Sequence, residues 1–194
     1  ESLAQTLGND RDADAAHLRR AISANLRVGN AQCAIRLAAY ATRENAPEAM
    51  RIEAIKTLSQ WTNPDRLDRV QGWHRGLEPR SAPEAHAALD LHLGALLTAS
   101  SKSVQSSTAA LIKRLDYGNA AERVTQLALD PKTSAAVRAS SLTAMAALKA
   151  PELTKAINLG LKSDSPQLRM ASREAILNPS SQIEQVQWAS RAGT

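Results

Sequence analysis

The amino-acid sequence predicts an all-α protein, a right-handed α-solenoid (α-α superhelix) of about five helical hairpins and roughly ten to eleven helices. Three observations carry that expectation. Hydrophobic residues make up 43% of the chain while aromatics reach only 3% and Phe is absent, so helix formers such as Ala and Leu prevail and β-branched residues are scattered. Apolar positions recur at spacings of three and four rather than two. One local pattern also returns five times, which marks a repeat architecture.

The pattern is an apolar residue followed by Arg, then a small or branched residue and a further apolar one. Its copies are Leu18-Arg19 with Ile22 and Leu26, Met50-Arg51 with Ala54 and Leu58, Val137-Arg138 with Ser141 and Met145, and Leu168-Arg169 with Ser172 and Ile176. Val104-Gln105 with Thr108 and Ile112 is a weaker copy that lacks the Arg. The second positions lie 32, 54, 33 and 31 residues apart, and the long interval is explained by about 22 residues inserted between Leu58 and Val104. Offsets of four and eight place the three key residues on one helical stripe, and the small middle residue admits a close neighbour. Each copy is therefore expected to be the inner helix of a hairpin.

Partner helices are marked by stripes of their own, Cys33, Leu37, Tyr40 and Ala41, or Leu89, Leu93, Leu96 and Leu97. In chain order, helices are expected near 12–28, 31–44, 47–61, 83–99, 103–117, 119–129, 133–149, 152–162, 166–177 and 181–191, with a partial one at 2–7. Pro47, Pro151 and Pro166 stand near first turns, where a missing N–H costs nothing. Asn30, Asn119, Thr133 and Ser165 are candidate N-caps. Gly29, Gly118 and Gly160 fall at or near helix ends, where a left-handed residue is often needed.

The signatures of tetratricopeptide and ankyrin arrays are missing. Leu129-Asp130-Pro131 leading to Val137-Arg138, and Ser163-Asp164-Ser165-Pro166 leading to Leu168-Arg169, resemble instead the HEAT family. Its units run to roughly 40–47 residues, so the chain is similar to a compact bacterial HEAT-like variant. The resemblance implies a ladder in which each Arg pairs with an acid of the preceding turn. Asp14 suits Arg19 and Asp164 suits Arg169, whereas Arg51 has Glu48 and Arg138 only Asp130. A structural role far outweighs a catalytic one for these residues. One HEAT-like domain is expected over 1–194, cut from a longer array, because the terminal segments lack the polar caps that solenoid ends need.

Residues 62–82 interrupt the repeat as an inserted loop. Long loops in compact domains are usually functional or disordered, and Trp61 and Trp73, which flank alternating charges, speak against disorder here. Two roles compete. Arg66, Arg69, Trp73, His74 and Arg75 form a docking surface, since aromatics and Arg are favoured at interface centres. Alternatively Trp73 plugs a gap in the helical surface and Arg/Asp pairs staple the loop, and this plainer role stands somewhat ahead. The loop supplies Trp61, Pro64, Asp68-Arg69-Val70, Gly72, Trp73, Arg75, Leu77 and Pro79-Arg80, after the helical Arg51-Ile52-Glu53-Ala54. This resembles the HEAT segment of large planctomycete and verrucomicrobial proteins that join a glucose/sorbosone-dehydrogenase-like propeller, HEAT repeats and a c-type cytochrome domain. That likeness implies a periplasmic or secreted location. The chain carries no Cys-x-x-Cys-His, so a haem would lie outside these residues.

Net charge is +5, balanced over residues 1–100 and basic over 101–194, with 12 Lys/Arg against 7 Asp/Glu in the latter. Those cations are spread along helices, as on a solvated face. The single Cys33 forms no intramolecular disulfide and sits on an Ala/Leu stripe, as core. No apolar run approaches the roughly 18 to 20 residues of a bilayer span. Phosphate-binding Gly-rich loops, His-Glu-x-x-His and nucleophile elbows do not occur. His86 and His92 turn away from each other, and His86 with Asp90 makes neither a metal site nor a triad. Tyr40, Tyr117 and Trp188 read as packing residues. No catalytic, cofactor or metal site is therefore expected, and the segment itself is expected not to be an enzyme.

A non-catalytic scaffold or protein-interaction module follows, monomeric and bound to flanking domains of its own chain or to another protein. A second expectation comes from a different class. HEAT-like folds of this size also form DNA glycosylases acting on alkylated bases, with a basic concave face, Trp residues and a carboxylate. The basic surplus and three Trp fit it, but Trp61, Trp73 and Trp188 are scattered and no acid is poised among them.

Overall fold

The computed structural model describes residues 2–7, 14–67, 72–74, 76–118 and 120–177. Among them are ten α-helices and no strand. They are α1 (Ser2–Thr6), α2 (Ala15–Val28), α3 (Ala31–Ala41), α4 (Glu48–Ser59), α5 (Pro83–Leu97), α6 (Lys102–Arg114), α7 (Ala120–Leu129), α8 (Ala135–Leu148), α9 (Leu153–Leu161) and α10 (Pro166–Leu177). Every one falls on a stretch where the periodicity predicts a helix. The helix expected at 181–191 and the cap expected at Asn119 lie outside the described residues.

Side-chain caps set the helix starts. Asp14, Asn30 and Ser101 accept from the N–H groups of His17, Cys33 and Val104 at 2.6, 3.0 and 3.2 Å, each satisfying an orphan donor of the first turn. Ser134, not Thr133, caps α8, accepting from Val137 N–H at 3.4 Å. The Thr133 hydroxyl is spent on Asp130 at 3.2 Å instead. Ser165 accepts from Leu168 N–H at 3.4 Å, with Pro166 opening α10 behind it. Gly29 closes α2 in the left-handed region at φ 66°. Gly160 lies near a helix end as expected, next to last in α9, but it is not left-handed, and an added Cβ would meet the Ser172 hydroxyl. Close approach, rather than a turn, calls for glycine there.

The helices form two compact units. The first comprises residues 1–92 and 99–117. In it α1 packs on α2, α2 on α3 and α4, α3 on α4, and α4 on α6. The second comprises residues 93–98 and those from 118 onward, where α8 packs on α7, α9 and α10, and α9 on α7 and α10.

The repeated stripe makes the core of both. Its middle residues are all buried, Ile22, Ala54 and Thr108 in the first unit and Ser141 and Ser172 in the second. Thr108 and Ser172 return their hydroxyls to the carbonyls of Val104 and Leu168 at 2.8 Å, so these two enter the core with their donors paired, whereas the buried Ser141 hydroxyl has no partner among the described residues. At the last position Leu26, Leu58 and Met145 are buried, whereas Leu111 and Ala175 replace the expected Ile112 and Ile176 as the fully buried residues. A helix turns 3.6 residues rather than 4, so an eight-residue offset drifts off the stripe. The partner stripe of α3 is buried throughout, as are Leu89, Leu93 and Leu96 of α5. In the second unit a Cβ on Gly94 would stand 2.3 Å from the Ser140 carbonyl oxygen, so only glycine permits that approach.

Candidate functional site: arginine caps and an inserted turn

Four of the five repeat-register residues share a role. Arg51 donates from Nε to the Ala41 carbonyl at 2.9 Å, and Arg138 from Nε to the Ala128 carbonyl at 3.1 Å, each ten residues back. Gln105 donates from Nε2 to Ala99 at 2.7 Å. Arg169 donates from Nη1 to the carbonyls of Ser163 and Asp164 at 2.7 and 2.9 Å. These acceptors sit at or just past the ends of α3, α7, α5 and α9, where carbonyls have no intrahelical partner and a cation is favoured. The cause is local geometry. A helical side chain leans toward its own N-terminus, so a residue in the first turn or so reaches back to the element before it.

The acceptor is therefore mainly backbone, not the row of carboxylates that the HEAT likeness implies. Asp164 meets Arg169 through its main-chain oxygen. Asp14 caps α2, Arg19 is exposed, and among the described residues no ion pair joins the two. Asp130 accepts from Lys132 N–H at 2.9 Å and from Thr133, closing its own turn. Arg51 alone adds a carboxylate, and it is Glu44 rather than Glu48. Nη1 and Nη2 donate to Oε2 and Oε1 at 3.1 and 2.9 Å. Glu48 is in the first turn of α4 itself, whereas Glu44 lies in the turn that Arg51 reaches back toward. The Ser100 hydroxyl also donates to Glu44 Oε2, so the carboxylate ties the α3–α4 turn to the turn before α6. The Arg51 hydrogen bonds first, and that of Ser100 second, hold the Glu44 carboxyl down at about 2.

The insertion is built on Trp61, which is 0% exposed. Arg80 covers it, its guanidinium carbon 4.9 Å from the ring centroid. Arg80 N–H donates to the Thr62 carbonyl at 3.1 Å, closing the base of the turn. Its Nη2 donates to the Leu26 carbonyl at 2.5 Å, capping α2 from a point 54 residues along the chain. Burial pushes the Arg80 guanidinium below its ordinary pKa. Farther out, Gln60 Nε2 donates to Asp65 at 2.5 Å and Arg114 stands 3.9 Å from the same carboxylate. Leu67 and His74 then form an isolated antiparallel bridge.

Beyond that brace, Leu67 is 58% and Trp73 61% exposed, and Arg66 and His74 are exposed beside them. Trp73 is thus not the residue that plugs the helical surface; Trp61 is. Arg69 and Arg75 lie outside the described residues, so the structure brings together Arg66, Trp73 and His74 of the five residues read as a docking surface. The sequence marks the loop aromatics as anchors, but Arg80 as the cover of Trp61 was missed. The signal for Trp61 was present, since it continues the buried series Met50, Ala54 and Leu58 at helical spacing.

His86 and Asp90 share a face of α5 and both meet buried Tyr117. Tyr117 Oη donates to Asp90 at 2.5 Å, and its ring meets His86 edge-on at 5.2 Å. His86 Nε2 lies 3.1 Å from the Leu115 carbonyl. This latch lies within the first unit and is part-buried. Cys33 and Tyr40 are buried, and Trp188 lies outside the described residues. Among the described residues no cluster of three or more His, Cys, Asp or Glu could hold a metal ion, and no helix is long and apolar enough to cross a membrane. Compared with protein-family models, curated proteins and solved structures, the chain matches none.

Proposed function

We propose that the chain is a non-catalytic scaffold or protein-interaction module built as a HEAT-like solenoid, working inside a larger multidomain protein. The observation that carries this is the inserted turn. Leu67 and Trp73 are exposed within it, while Trp61 and Arg80 fix its base. A large apolar side chain held in water by a preorganised support is what an interface centre requires, because the ordering cost is met before a partner arrives. The packing within each unit supports the solenoid part, since α2, α4 and α6 succeed one another in the first unit and α8 meets α10 in the second. A right-handed superhelix, a bacterial origin and a dehydrogenase–cytochrome parent belong to the same reading and rest on the sequence likeness.

In the full-length gene product, rotational correlation times of the individual domains decide the matter. A scaffold tumbles with its neighbours as one body, and W73A slows no folding step yet loosens that coupling. Free tumbling of every linked domain would sink the scaffold role. The DNA glycosylase alternative has less support from the geometry, because Trp61 lies sealed beneath Arg80. A duplex-DNA titration at two salt concentrations tests it, since phosphate contacts make affinity fall steeply with salt.

A further inference from the structure

We infer that Arg138 is a receptor for a carboxylate supplied by an acidic segment of a partner protein, at a site distinct from the inserted turn. The inference rests on the interaction-module reading and is drawn from two copies of one arrangement in this chain. Arg51 and Arg138 are each the fourth residue of their helix. Each donates Nε to a carbonyl ten residues back, at 2.9 and 3.1 Å. In Arg51 that bond leaves Nη1 and Nη2 facing the turn between the helices, where Glu44 lies. In the first copy the pair is taken by Glu44, three residues past the capped carbonyl, in a two-bond fork. In the second copy the residue three past the capped carbonyl is Pro131, which has no carboxylate. Asp130 beside it holds Lys132 N–H and Thr133.

The Nη groups of Arg138 therefore have no acceptor among the described residues. They are also reachable. Arg51 has a side chain only 3% exposed, whereas Arg138 is half-buried. A planar fork already held by one backbone bond loses little freedom on meeting a carboxylate, which is why Arg is favoured in such pairs. The carboxylate of Glu44 shows the geometry that the ligand would take, and it points to Asp or Glu of a partner rather than to phosphate.

The test uses the whole chain and follows the arginine Nε–Hε resonances by NMR while an acetylated, amidated tetraglutamate peptide is added. Inorganic phosphate is titrated in a second arm. The Arg138 resonance is expected to shift saturably with peptide, and the Arg51 resonance to stay in place. R138Q and R138K should each weaken binding by about tenfold or more, the second because it keeps the charge but not the fork. P131E should also block it by supplying an internal carboxylate. The proposal is overturned by absence of a saturable shift, by wild-type affinity in R138K, by tighter binding of phosphate than of peptide, or by undiminished binding in a folded P131E. Should P131E fail to fold, R138Q and R138K still decide. Free tumbling of the flanking domains would leave this titration untouched, so the two ideas fail separately.

Discussion

Arg80 lies over the indole of Trp61, 4.9 Å from the ring centroid, and from there its Nη2 reaches the last turn of α2. One side chain thus covers an aromatic ring, closes a loop and caps a helix. R80A removes all three and is expected to cost about 2–3 kcal/mol. R80K should fall between, since a point charge cannot both stack and cap. Urea unfolding followed by Trp fluorescence measures both, and a wild-type midpoint for R80A would refute the brace.

Glu44 makes stability depend on acid. Its folded carboxyl titrates at about 2 rather than the ordinary 4.5. Its contribution is complete above the ordinary value and is lost as pH falls from there toward 2. The difference in Tm between the wild type and E44Q should therefore hold steady from neutral pH to about 5 and shrink below it. A gap independent of pH down to 3 would contradict the pairing.

The two equivalent arginines should not cost the same to remove. R51M strips a nearly buried side chain from the Ala41 carbonyl and from Glu44, at about 2–4 kcal/mol. R138M leaves one carbonyl that water can reach and should cost about 1 kcal/mol. Equal losses in chemical denaturation would argue against the difference in burial and partner described for the two sites.

Glycine matters at Gly94 and not at Gly76. A methyl at Gly94 meets the Ser140 backbone at 2.3 Å, which must move. G94A should lose about 1–2 kcal/mol even after its gain in helix propensity. Around Gly76 there is open space and no left-handed backbone, so G76A should lie within about 0.5 kcal/mol of the wild type. Calorimetry of the pair gives the comparison directly.

Helix positions and the buried stripe were legible in the sequence because they rest on periodicity, which is local. Ile22, Ala54, Thr108, Ser141 and Ser172 are all buried, as the shared pattern requires. The register was legible too, but not what it binds. A carbonyl acceptor leaves no trace in residue identity, so Arg138 and Arg169 could be placed without revealing Ala128 or Ser163 as their partners. The insertion was the least legible part. That Trp61 turns inward follows the helical spacing of Met50, Ala54 and Leu58, but Arg80 folding back across 54 residues to Leu26 is encoded by no short-range spacing. What α-helical periodicity cannot say at all is which surface meets a partner.

The arginine and glutamine caps have a consequence for how such a chain can change length. Arg51, Gln105, Arg138 and Arg169 each seal the helix immediately before their own, so these four helix pairs close themselves. Among the described residues the junction after α4 is crossed by no such bond. Extra residues there spoil no existing seal, and the entropy of a longer closed loop grows only with the logarithm of its length. Residues 62–82 occupy that permissive junction. Lengthening or shortening the chain at this junction therefore leaves those four seals intact, and Trp61 with Arg80 is the fastening of the turn that stands there.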